Sequence, residues 1–218
     1  MRKERFAEHP ERQSSRSKIL VAGLLVIVIV LSSFSVFYFA QASDYHDAKY
    51  RAQWVLMDNI LDLTSESAME LDGVSGHAML TIPYRAIWAG QLQASLNAIA
   101  QNSWSIREMY LNDREKNETF SLLQKAMTTI LGNLDPLEFG LWNNVTQDIP
   151  YSENISLNAA LHSAAGMISA LHTSFLQAFK VDPQEDAGRS WERSPYSLVD
   201  RLNLLNVRSS CTDIMSLF

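Results

Sequence analysis

Five histidines and a single cysteine are the side chains best suited to ligate a metal or act as nucleophile or base, so their spacing is the first test of chemistry. His9, His46, His77, His162 and His172 form no His-Glu-x-x-His pattern and no Cys/His cluster. His162 and His172 fall in one helical stretch, but at 100° per residue they lie about 80° apart in projection and about three turns apart along the axis. They cannot hold one ion. Asp44, His46 and Asp47 are neighbours in sequence, yet three adjacent side chains on one helix converge poorly, and a polar collar is the expectation there. No Gly-x-Ser-x-Gly, P-loop or Gly-x-Gly-x-x-Gly occurs, and nothing in the spacing sets a base beside Ser75 or Ser163. Spacing alone leaves open a pairing across helices, such as Glu108 with Asp200. The reading is no enzyme, no metal site and no cofactor. Cys211 is the only cysteine, so no internal disulfide can form; it falls on an apolar face and is expected to be a buried, inert thiol.

What remains is helical periodicity. Tyr50, Trp54, Met57, Leu61, Thr64, Ala68 and Leu71 repeat at alternating steps of four and three, the mark of a heptad seam, with Ile60 and Leu63 widening it. Asp58, Asp62, Glu66 and Glu70 run at steps of four along another face and are expected to be solvated. Gly73 and Gly76 break this helix, and Pro83 suits the first turn of the next, with Thr81 or a neighbour as its cap. Trp88, Leu92, Ile99, Ile106 and Met109 stripe the second helix, where Ala94 and Ala98 would admit a close neighbour. A polar turn capped by Asn117 then precedes a third stripe of Phe120, Leu123, Met127, Ile130 and Leu134. Gly132, Asn133 and Pro136 predict its end, leaving 135–155 as an apolar, irregular connection. Asn154 or Ser156 caps a fourth helix striped by Leu157, Leu161, Ala164, Ile168, Leu171, Phe175 and Ala178, with Ala160, Ala165 and Gly166 inviting a close neighbour. After a polar loop over 182–196, Leu204, Val207, Cys211, Ile214 and Phe218 mark a last helix. No strand-like alternation persists. The expected fold is all-α, an antiparallel bundle of four or five helices.

The stretch Ile19 to Ala42 carries no charge. As a helix of about 1.5 Å per residue it is long enough to cross a hydrocarbon core of about 30 Å. Six basic side chains precede it, Arg2, Lys3, Arg5, Arg12, Arg16 and Lys18, whereas only Lys49 and Arg51 follow closely. The positive-inside rule then places residues 1–18 in the cytoplasm, a transmembrane signal-anchor over 19–42, and 43–218 outside the cell membrane. Lys18, Phe37, Tyr38, Phe39 and Tyr45 are the expected membrane-interface residues. Ala40-Gln41-Ala42 also fits a signal-peptidase site, which would release the rest as a secreted helical carrier or enzyme; length favours retention.

Residues 43–218 hold 12 basic and 21 acidic side chains, a net charge of −9. That balance argues against nucleic acid as a partner. The partners expected are the lipid bilayer and another membrane or extracytoplasmic protein. Asn117, Asn144 and Asn154 begin Asn-x-Ser/Thr patterns and are possible glycosylation sites, weak support for an exterior location. Trp142 and Trp191, read as loop residues, are possible partner contacts. The expected role is interaction, as a sensor-like or scaffold domain or as an accessory subunit of a membrane complex.

In outline, an apolar N-terminal helix running into a soluble domain resembles type IV pilin-like proteins over residues 14–71. The resemblance implies a filament subunit. Pilin-like processing expects glycine or alanine after the basic residue and an acid five residues in; this chain has Ile19 and Leu24 there.

Overall fold

The computed structural model describes residues 10–76, 80–179 and 198–218, with side chains from 30 onward, 36 and 40 excepted. Among the described residues the regular structure is helical, in six segments: α1 Pro10–Val74, α2 Ile82–Met109, α3 Arg114–Gln147, α4 Ile155–Phe179, α5 Leu198–Arg201 and α6 Leu204–Ser216. The chain divides into two compact units, Met1–Ala48 and Lys49–Phe218.

In the first unit the described side chains are exposed, the large apolar ones included: Leu31 is 61%, Phe37 63%, Tyr38 63% and Phe39 79% exposed, and Tyr45 is 73%. Tyr38 touches Phe34 and Phe37 at ring-centroid distances of 6.4 and 6.1 Å. Among the described residues no helix is long and apolar enough to cross a membrane. The side chains of 19–29, the first half of the apolar stretch, lie outside the described residues, and so does that of Lys18.

In the second unit, opposite ends of α1 and α2 are tied crosswise. Gln53 on α1 meets Tyr110 just after α2, and Arg85 near the start of α2 meets the Val74 carbonyl at the end of α1. The two helices are therefore antiparallel. On α4, His172 contacts the Leu61 carbonyl at 3.0 Å and His162 the Asp72 carboxylate at 2.7 Å, so α4 also runs against α1. With the tight turn between α2 and α3, this gives an up-down-up-down arrangement, and α6 packs on both α3 and α4. The core is continuous. Phe120 and Phe175 are its largest fully buried side chains, joined by Met57, Ile60, Leu61, Leu92, Leu96, Ile99 and Leu123. Burial of each such side chain contributes about 1.5–3 kcal/mol.

Several boundaries differ from the sequence reading. Pro136 lies inside α3, which continues to Gln147, so most of the expected connection over 135–155 is helix. The reason is visible in the pattern: Leu134, Leu137 and Leu141 are all buried and extend the Phe120 stripe past the proline. Burial of that face outweighs the hydrogen bond that proline cannot donate. The cap of α3 is Asp113, whose side chain accepts from the Lys116 amide, not Asn117. The cap of α4 is Asn154, which accepts from the Leu157 amide at 3.1 Å. Thr81 precedes α2 as expected but makes no side-chain capping bond. The last helix is split, with Asn203 capping α6.

The seams shift as well. On α1 Gln53, Ser67 and Val74 are buried while Tyr50, Trp54 and Ala68 are half-buried. Trp54 packs edge-on against Phe179, with centroids 6.0 Å apart. Glu70, expected in water, is buried. On α2 the close approaches fall at Ala86 and Ala89, and Ala94 is exposed.

Candidate functional site

Two polar junctions, one at each end of the second unit, and a set of exposed apolar side chains are the features beyond simple packing.

The first junction forms around Arg85. The α1 helix ends with the Ser75 amide donating to the Leu71 carbonyl and the Gly76 amide to the Gly73 carbonyl. Gly76 sits at φ +85°, the left-handed conformation that closes a helix and that glycine adopts without strain. Arg85 is 4% exposed. Its Nε donates to the Val74 carbonyl at 3.0 Å, its Nη1 and Nη2 both bond the Glu153 carboxylate, and its guanidinium lies 5.6 Å from the Tyr151 ring centroid. Glu153 also accepts from Asn158 on α4 at 2.5 Å. The Arg85 hydrogen bonds hold the Glu153 carboxyl below the ordinary glutamate range, against the upward pull of burial. One cation thus joins the end of α1, the start of α2 and the α3–α4 connection. Beside it, Trp88 occupies the space where a side chain on Gly73 would lie.

The second junction centres on Tyr110. Lys49 and Lys116 place their Nζ atoms 4.7 and 4.9 Å from its ring centroid, within cation–π reach. Lys49 also donates to the Met109 carbonyl at 2.9 Å. Lys116 bonds Asp113 at 2.8 Å and Asp200 at 2.5 Å. Burial pulls the Lys116 ammonium toward neutrality, but its two carboxylates outweigh that and raise its pKa above the ordinary lysine value. This junction ties α1, α2, α3 and α5. On the neighbouring face Arg208 of α6 donates to the Thr119 hydroxyl and the Glu115 carbonyl, each at 2.8 Å.

Neither junction offers a nucleophile with a base or an open ligand set. Among the described residues no group of three or more His, Cys, Asp or Glu could hold a metal ion. Cys211 is fully buried, and burial pushes its thiol up to about 12, which suppresses the thiolate. A shallow groove of about 380 Å³ between α4 and α6 is lined by neutral groups such as Thr173, Ser174, Gln177 and Asn206.

No family model matches the chain, and no curated protein or solved structure is significantly similar to it.

Exposed apolar side chains also stand on α3 and in the segment that follows it. Phe139 is 70% exposed on α3 and Trp142 39%, with Ile149 and Ile155 beyond them. Trp142 stands on a helix rather than in a loop. Trp191, the other expected contact, lies outside the described residues, as does His77. The three sequon asparagines differ. Asn117 donates through Nδ2 to the Arg107 carbonyl and Asn144 to the Ile149 carbonyl. Asn154 is exposed and uses its Oδ1 to cap α4, so a sugar on its Nδ2 would leave the cap intact.

Arg85, Tyr110, Tyr151 and Glu153 were not legible as a group in sequence. One signal existed for Arg85: a cation in the first turn of a helix opposes the macrodipole, and none of the next 21 residues is charged. Such a residue needs a partner from elsewhere.

Proposed function

We propose that the chain is a single-pass membrane protein with its N-terminus in the cytoplasm, holding an acidic helical bundle on the outer side as an interaction module, either a scaffold or an accessory subunit of a membrane complex. The observation that carries the membrane part is the exposed apolar surface of the first unit: Leu31, Phe34, Phe37 and Phe39 are all more than half exposed. In water such a surface costs about 25 cal/mol per Å², and a bilayer removes that cost. In this reading Phe37, Tyr38, Phe39 and Tyr45 form the outer aromatic belt, and Lys18 with the arginines before it marks the cytoplasmic edge.

The interaction part rests on Phe139, Trp142, Ile149 and Ile155. An exposed aromatic pair on a rigid helix loses little conformational entropy on docking and suits a partner protein. The net charge of −9 over residues 43–218 speaks against nucleic acid as that partner. The test is affinity capture of the full chain from native membranes, comparing wild type with a Phe139→Ser/Trp142→Ser double variant. The expected result is a co-purifying protein lost from the variant while the variant keeps its helical circular dichroism and a cooperative melt. Equal recovery of the same proteins by both would refute the assignment.

A further inference from the structure

The α1–α2 contact contains a carboxylic acid that no cation among the described residues neutralises. Glu70 is 9% exposed, and its Oε2 finds no hydrogen-bond partner. Ser67, three residues earlier and so on the same side of α1, is fully buried with an equally unpartnered Oγ. From α2 the Ser95 hydroxyl hydrogen-bonds the Glu70 carboxyl. Among the described residues no cation acts on it. Residues 86–106 of α2 contain no Asp, Glu, Lys, Arg or His. On α4 the only titratable groups over 155–179 are His162, held by Asp72, and His172, held by the Leu61 carbonyl. On α1 itself the like-signed charge of Glu66 acts on it.

We infer that Glu70 makes the α1–α2 contact proton-sensitive: its neutral carboxyl seals the contact, and its ionisation loosens the two helices. Burial is the main force favouring the neutral form; the Ser95 bond opposes it and the Glu66 charge reinforces it. Because proton binding is tighter in the folded chain, the stabilisation is complete below the ordinary glutamate value of about 4.3 and is lost as the pH rises through the folded-state value.

The test is thermal unfolding of the full chain in mild detergent, followed by circular dichroism across a pH series. Glu70→Gln keeps the shape and removes the charge. Relative to wild type it is expected to melt about 3 °C higher near pH 8 and to show no gain near pH 4. Ser95→Ala removes a bond that favours the ionised form, so its deficit against wild type should grow from low to high pH. A Glu70→Gln offset that stays constant over the whole series, or a lower melting point than wild type near pH 8, would overturn the inference.

Discussion

Arg85→Ala is expected to lower the unfolding free energy by about 3 kcal/mol, measured by urea denaturation of the full chain in detergent. The substitution leaves the Val74 carbonyl without its donor at the end of α1, removes the fork that holds Glu153, and strips the cation from the Tyr151 face. The Glu153 side chain is 47% exposed, so water recovers part of the loss, and the figure stays at the low end for a broken buried pair. Arg85→Lys keeps the charge but cannot reach the carbonyl and both carboxylate oxygens together, so it should recover less than half. The pH dependence has a definite sign. The Glu153 pKa is depressed in the folded chain. The stabilisation from this pair is therefore present above the ordinary glutamate value of about 4.3 and is lost as the pH falls through the folded-state value. The gap between Arg85→Ala and wild type should narrow in acid. A gap of under about 1 kcal/mol at neutral pH would show that the junction is not a structural tie.

Gly73→Ala should be nearly as damaging, at about 2–3 kcal/mol by the same measurement, because overpacking against a ring forces the ring or the backbone to move. A methyl at Gly73 would lie 2.1 Å from Trp88 Cε3 and 2.2 Å from Cζ3. Gly166→Ala is the control. A methyl there meets nothing within 4 Å, and alanine is the better helix former by about 1 kcal/mol, so this variant should gain stability. If both glycine variants change stability alike, the Trp88 contact is not what fixes the start of α2 on α1.

The contrast between these glycines also shows what a single sequence carries. The α4 stripe was legible: Leu161, Ala164, Ile168, Leu171, Phe175 and Ala178 are all buried, because an uninterrupted three-four pattern has one way to hide its apolar face. Small residues were ambiguous. Gly73 faces a tryptophan and Gly166 faces open space, and nothing local separates them. Pro136 is a helix-stop signal by type, but the apolar stripe continues through Leu137 and Leu141, and burial of that stripe carries α3 past the proline. Glu70 shares its four-residue spacing with Asp58, Asp62 and Glu66; only the rotation of α1 against α2 decides that it alone is buried. The junctions at Arg85 and Tyr110 draw their members from segments far apart in the chain, where no spacing rule reaches.

Topology in the membrane is the claim on which the proposed role depends, and substituted-cysteine labelling in intact cells tests it most directly. Native Cys211 cannot serve, since it is fully buried and its thiol is pushed up to about 12, which makes it a silent background. Ala159 is exposed on α4, and Ser14 precedes the apolar stretch. With a membrane-impermeant maleimide, Ala159→Cys should label in intact cells and Ser14→Cys only after lysis, with both proteins in the membrane fraction. Labelling of Ser14→Cys alone in intact cells, or recovery of the full chain as a soluble species without detergent, would contradict the account.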